Sequence, residues 1–173
     1  MSEFGGDLIA MDLPDGRKRL VLFDFMFLDN AGMIWVTFRG VVYDGATIPR
    51  FAWSIIGGPY EGKYRRAAAI HDPDYTFQYR MRLMGDRMLR EGAIADGTGV
   101  CKAQIMESCV RQFGQHAWDD LDQGDYRPDL VPAYINAVPS DSGIPEMYKT
   151  AVAKVKAEML ANWTELMIKA AQR

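Results

Sequence analysis

The chain has few of the residues that staple small proteins or build metal clusters: two cysteines and two histidines in 173 residues. Cys101 and Cys109 lie eight positions apart on a segment of helical period. That is about 12 Å along the axis, beyond disulfide reach. They do not have zinc-finger spacing, and both read as small buried residues. Neither sign of charge dominates, with 20 Lys and Arg against 23 Asp and Glu and a net charge of −3. A dedicated duplex-DNA binder needs a basic face to neutralise phosphates, so that class is set aside, while a local basic patch stays open. No apolar run approaches the ~20 residues needed to span a bilayer. The opening MSEFGGDLIAMDLPDGRKRL has no basic stretch followed by an apolar core, so no signal peptide is expected and the chain should fold in a cytoplasm.

What remains is the composition of a globular domain, 49% hydrophobic and 25% charged, long enough to bury a core without staples. After a Gly- and Asp-rich lead-in of 17 residues, 19–25 and 33–42 read as strands of an antiparallel hairpin about a turn at Leu28-Asp29-Asn30-Ala31-Gly32. A Gly/Pro loop follows over 43–62. Helical period then takes over, with Tyr64, Ala67, Ala68, His71 and Tyr75 on one face. Further helices are expected over about Leu83–Ala95 and Gly99–Trp118. The Asp-, Gly- and Pro-rich stretch 119–143 reads as an extended connector. The last helix carries the apolar stripe Tyr148, Val152, Val155, Met159, Trp163 and Leu166, with Ser142 as a candidate cap. The expected architecture is α+β. A core of residues 1–118 holds a small antiparallel sheet on a helical bundle, then the connector, then an amphipathic helix over 144–173 that packs on the core or on a partner chain.

The chemistry concentrates around His71. Ala67, Ala68 and Ala69 let their helix approach another backbone closely, and His71, Asp72 and Tyr75 follow. His71 and Asp72 point about 100° apart on a helix, so they serve one site only at its edge. His71 is a base or ligand, and Asp72 a ligand for a divalent cation, calcium or zinc. Tyr75 lies one turn on from His71 and offers its hydroxyl to a carboxylate. Asp86 returns across an antiparallel helix pair as the carboxylate that orients the His71 ring. Asp44, at the mouth of the glycine-rich loop, is a second candidate ligand. The plainer alternatives are that Asp44 caps the turn at Gly45 and Ala46, and that Asp86 caps a helix after Gly85. Pro73 argues that the helix kinks or ends near Asp72.

Four stretches together carry a resemblance. They are Asp44-Gly45-Ala46-Thr47-Ile48-Pro49-Arg50 with Phe51 and Trp53, His71-Asp72-Pro73-Asp74-Tyr75, Arg82 through Asp86, and Phe113-Gly114-Gln115-His116-Ala117-Trp118. They resemble the domain of unknown function 1353 family, found mainly in bacteriophages and prophages, over about residues 40–118. Tyr43 and Pro73 depart from its pattern. The resemblance implies a phage or prophage origin and the cytoplasm of a bacterial host, with incorporation into a virion open. It implies no settled activity. His-Asp-x-x-Tyr after a glycine-rich loop is also similar, at motif level, to the active-site helix of secreted and parvoviral phospholipases A2. That likeness implies His71 as the base for water, Asp72 with Gly57 and Gly58 around a cation, and Asp86 as the orienting residue. Arg50 would support the loop. The cysteine framework and glycine-loop signature of those enzymes are absent.

Two functions compete. One is a metal-assisted hydrolase of an ester, amide or phosphoester centred on His71 and Asp72. The other is a tail, connector or assembly protein that binds phage or host proteins through its C-terminal helix. Homo-oligomer formation is left open.

Overall fold

The computed structural model describes residues 2–44, 62–120 and 125–172. Among these, seven short strands are β1 (Glu3–Gly5), β2 (Ala10–Asp12), β3 (Arg19–Val21), β4 (Phe25–Leu28), β5 (Ile34–Thr37), β6 (Val41–Tyr43) and β7 (Asp125–Tyr126). The helices are α1 (Arg65–Phe77), α2 (Arg82–Ala95), α3 (Val100–Phe113), α4 (Gln115–Asp119), α5 (Ala133–Asn136) and α6 (Glu146–Ala171). The fold is α+β, as expected.

Segment 19–43 folds back at Asp29. Its Oδ1 accepts the backbone N–H groups of Ala31 and Met33, and its Oδ2 takes the Trp35 indole N–H at 2.9 Å. One buried carboxylate thus fixes both the turn and the residue that leaves it. β4 and β5 pair antiparallel from Leu28 opposite Ile34 to Phe25 opposite Thr37. The same register resumes with Leu20 opposite Val42 and Arg19 opposite Tyr43, between β3 and β6. The expected hairpin is therefore one ladder broken in the middle, its halves belonging to two sheets, β1-β4-β5 and β2-β3-β6-β7. The break has a local cause. Gly40 takes φ of +89°, a conformation open to glycine. Arg39 donates its backbone N–H to Asp24 and its guanidinium to the Leu22 carbonyl, each at 2.8 Å, which satisfies groups that leave the ladder. The lead-in is not bare chain, because it supplies the strands β1 and β2.

α1 lies between the sheets and the other helices, which explains its run of buried alanines. Ala69, Ile70 and Phe77 join Phe25, Phe27, Phe38 and Met88 in the larger core, while Ala67 and Ala68 pack with Leu89, Ala93, Met106 and Val110 of α2 and α3. The α1–α2 approach is close enough that a Cβ on Gly92 would stand 2.9 Å from the Ala67 Cβ. Pro73 does not end α1, which runs on to Phe77. Burial on several sides outweighs the roughly 3 kcal/mol that a mid-helix proline costs. The helix stops at Gln78, in the left-handed region at φ of 45°. There Asn162 of α6 donates to the carbonyls of Phe77 and Gln78.

The third expected helix is two, α3 and α4, parted at Gly114. Cys109 is buried as expected, but Cys101 is exposed, because it sits on the outer side of α3's first turn. The connector is more ordered than expected. β7 adds to β6, Tyr126 packs between Phe38, Phe77 and Trp163, and Val131 sits in a third cluster with Leu20, Leu22 and Val42. Ser142 does not cap α6, whose N-cap is Pro145. The stripe of α6 lies on the chain's own core, with Val152 and Met159 buried and Tyr148, Val155 and Trp163 against them. No described helix is long and apolar enough to cross a membrane.

Candidate active site

Two antiparallel helices bring the chemistry together. His71 and Asp86 are almost fully buried, 3% and 0% exposed, where an unpaired ring or carboxylate would be costly. They meet: His71 Nε2 is 3.1 Å from Asp86 Oδ1. The same oxygen accepts the Tyr75 hydroxyl at 2.7 Å. Asp86 Oδ2 takes Arg82 Nη1 at 3.1 Å, one turn back along α2. Arg82 also donates to the carbonyls of Val110 and Arg111 in the last turn of α3. Asp86 is thus no helix cap; it sits inside α2 as the hub of a buried network joining α1, α2 and α3.

An ionised carboxylate that already holds an arginine accepts only, so it takes the Nε2–H of His71 and in the neutral ring leaves the lone pair on Nδ1. Nδ1 is buried without a hydrogen bond. Its nearest acid is Asp72 Oδ1 at 3.7 Å, beyond hydrogen-bond distance. Burial works against the charged ring, but the carboxylates of Asp72 and Asp86 outweigh it and raise the His71 pKa to about 9. Tyr75 is raised above the ordinary phenol, by burial first and by its bond to Asp86 second.

A cavity opens beside His71, walled by Tyr43, Asp44, Asp72, Tyr75, Thr76, Val110, Gly114, Ala117 and Asp120. Asp44 keeps an exposed edge, yet the surrounding protein and the nearby charge of Asp72 push its carboxyl up to about 6. A carboxylate whose ionisation a second one opposes suits a hard cation. Among the described residues, however, no three His, Cys, Asp or Glu side chains are grouped to hold a metal ion. Gly114 makes room for Tyr75, since a Cβ there would fall 2.5 Å from the hydroxyl. Tyr75 also stacks edge-on with Trp118.

Of the residues singled out from sequence, His71, Asp86 and Tyr75 are in direct contact, and Asp72 and Asp44 line the same cavity. Gly57, Gly58 and Arg50 lie outside the described residues. Sequence reasoning missed Tyr43, Asp120 and the tie between Arg82 and Asp86. The last had a signal, because Arg and Asp four apart on a helix are neighbours. Tyr43 and Asp120 had none, since strand pairing and a helix end bring them in.

The arrangement defines an α+β domain with a buried His–Asp–Tyr–Arg network at the wall of an open cavity. The chain belongs to the family described as "Protein of unknown function (DUF1353)", whose model matches residues 20–110. Two proteins of Sinorhizobium fredii (strain NBRC 101917 / NGR234) are similar to it. The uncharacterized protein y4jT is 41% identical over 93 residues, 53% of this chain and 27% of that protein. The uncharacterized protein y4iH is 32% identical over 123 residues, 70% of this chain and 51% of that protein. The chain thus spans about a quarter of the first relative's length and about half of the second's. No solved structure matches.

Proposed function

We propose that the domain is a hydrolase in which His71 activates a water held in the adjoining cavity, of about 30 Å³, against an ester, amide or phosphoester at its opening. The observation that carries this reading is the division of the His71 ring: Nε2 is held by buried Asp86, while Nδ1 makes no hydrogen bond beside the cavity. In the neutral ring, which forms as pH rises toward and past the His71 pKa of about 9, Nδ1 takes a proton from water as the water oxygen attacks the acyl or phosphoryl centre. The proton then passes to the leaving group. Asp86 stabilises the transient imidazolium and fixes its orientation without taking the proton, and Tyr75 and Arg82 hold Asp86 in place. Asp72 and Asp44 are the residues that would hold a divalent cation, whose chemistry would be to polarise the substrate oxygen. A phage or prophage setting belongs to this proposal through the family resemblance alone.

The test is a hydrolysis screen of acyl esters, amides and phosphoesters with wild type, His71→Ala and Asp86→Asn, with and without calcium or zinc. Asp72→Asn is followed in parallel by metal-binding calorimetry. The expected result is turnover that falls by about 10² or more in His71→Ala and Asp86→Asn. Turnover that survives both substitutions, or none with any substrate class, sinks the reading. The competing partner-binding reading draws no support from the α6 stripe, which the chain's own core covers.

A further inference from the structure

A second cavity, of about 630 Å³, shares Tyr43 as a lining residue with the first. Its walls carry four cations, Arg19, Lys63, Arg65 and Arg66, against the carboxylates Asp7 and Asp96. This runs against the balance of a chain whose net charge is −3. Two of the cations are committed, Arg66 to Asp96 and Arg19 to Asp12. Lys63 and Arg65 are exposed, and among the described residues neither forms an ion pair.

Their position sharpens the point. Lys63 immediately precedes the N-cap of α1, Arg65 opens its first turn, and that turn has no acidic residue and no side-chain cap. Helix stability favours carboxylates there and cations at the other end, because the first N–H groups leave partial positive charge. The chain therefore gathers like charges at a cavity mouth at some cost to α1, a cost that a bound anion relieves. Two uncommitted cations match a doubly charged group better than a lone carboxylate. The planar fork of Arg65 fits two oxygens of a tetrahedral oxyanion.

We infer that this cavity binds a phosphate group, held by Arg65 and Lys63. Arg65 and Asp72 are seven residues apart on α1, hence on one face and about 10 Å apart. A compound whose phosphate sits at Arg65 has to extend about 10 Å over Tyr43, the shared wall, to present a bond to His71, which makes a phosphate-bearing compound of that reach the substrate class. That extension rests on the hydrolase reading, whereas the binding itself does not.

The experiment is calorimetric titration of the full chain with inorganic phosphate at constant ionic strength. Wild type should give saturable binding. The double variant Lys63→Gln, Arg65→Gln should weaken it by about tenfold or more, and Lys154→Gln, on the exposed side of α6, should leave it unchanged. Lys63 and Arg65 are exposed, so the double variant should keep the wild-type circular dichroism spectrum. His71→Ala should bind phosphate like wild type, so loss of hydrolysis and loss of this site are read separately. Sedimentation with phosphatidylcholine vesicles, with and without phosphatidic acid, identifies the source. Pelleting with phosphatidic acid that the double variant loses assigns a lipid headgroup, and none assigns a soluble phosphate ester. Absence of saturable phosphate binding, or binding retained in the double variant, overturns the inference.

Discussion

Gly85→Ala should destabilise the protein in the presence of Asp74 and stabilise it without. A Cβ built on Gly85 falls 2.4 Å from Asp74 Oδ2 and 3.4 Å from its Cγ. The oxygen is thus about 1 Å inside ordinary contact, and Asp74 is buried on α1. Overpacking of this kind costs about 1–3 kcal/mol. Against it stands the helix propensity of alanine over glycine, about 1 kcal/mol in a helix interior. The net expectation is a loss of roughly 0–2 kcal/mol in the wild-type background. In an Asp74→Ala background the obstructing oxygen is gone and only the propensity gain remains, so the same substitution should add about 1 kcal/mol. Urea unfolding of the four proteins of the cycle at pH 5 measures both values and their coupling. At that pH Asp74 is uncharged when folded, since burial pushes its carboxyl up to about 7. If Gly85→Ala stabilises the Asp74-bearing chain, or if its effect keeps one sign in both backgrounds, then Asp74 and Gly85 do not set the α1–α2 distance as described.

Asp74 also predicts a pH dependence. Its pKa is about 7 when folded, raised by burial above the 3.8 of an ordinary aspartate in the unfolded chain. Below about pH 4 both states hold the proton, and between 4 and 7 only the folded state does, so stability falls as pH rises through that window. Asp74→Asn should match wild type in stability relative to an unlinked control at pH 4, and exceed it by about 2–4 kcal/mol at pH 8. A gap that does not open between those values, measured by denaturant titration, contradicts the burial argument. Asn162→Ala should cost about 1–2 kcal/mol, because it strips the donors from two carbonyls at the end of α1. Amide exchange should then quicken at the last turn of α1, and unchanged exchange there would refute the capping role.

The α+β class, the turn at Asp29–Gly32, the helical period through His71 and the small-residue face of α1 were all legible in the chain, because each rests on local pattern. The meeting of His71 with Asp86 was legible as well, since two helices joined by a short turn must run back along one another. The hairpin was read in the right place but as one sheet. Its division depends on Arg39, Asp24 and Leu22 trading hydrogen bonds across the break, which no strand propensity announces. Pro73 misled as a helix breaker because its cost is local while the burial that overrides it comes from the elements packed around α1. The connector looked unstructured because β7 exists only by pairing with a strand some eighty residues earlier. Residue type and spacing alone determined that the chain has a candidate base with a candidate carboxylate partner. Only the tertiary structure decided which ring nitrogen meets Asp86 and which is left without a hydrogen bond, that Arg82 and Tyr75 hold the carboxylate, and that Tyr43 lines both an acidic cavity and a basic one. Those are relations between distant side chains, set by how whole elements pack.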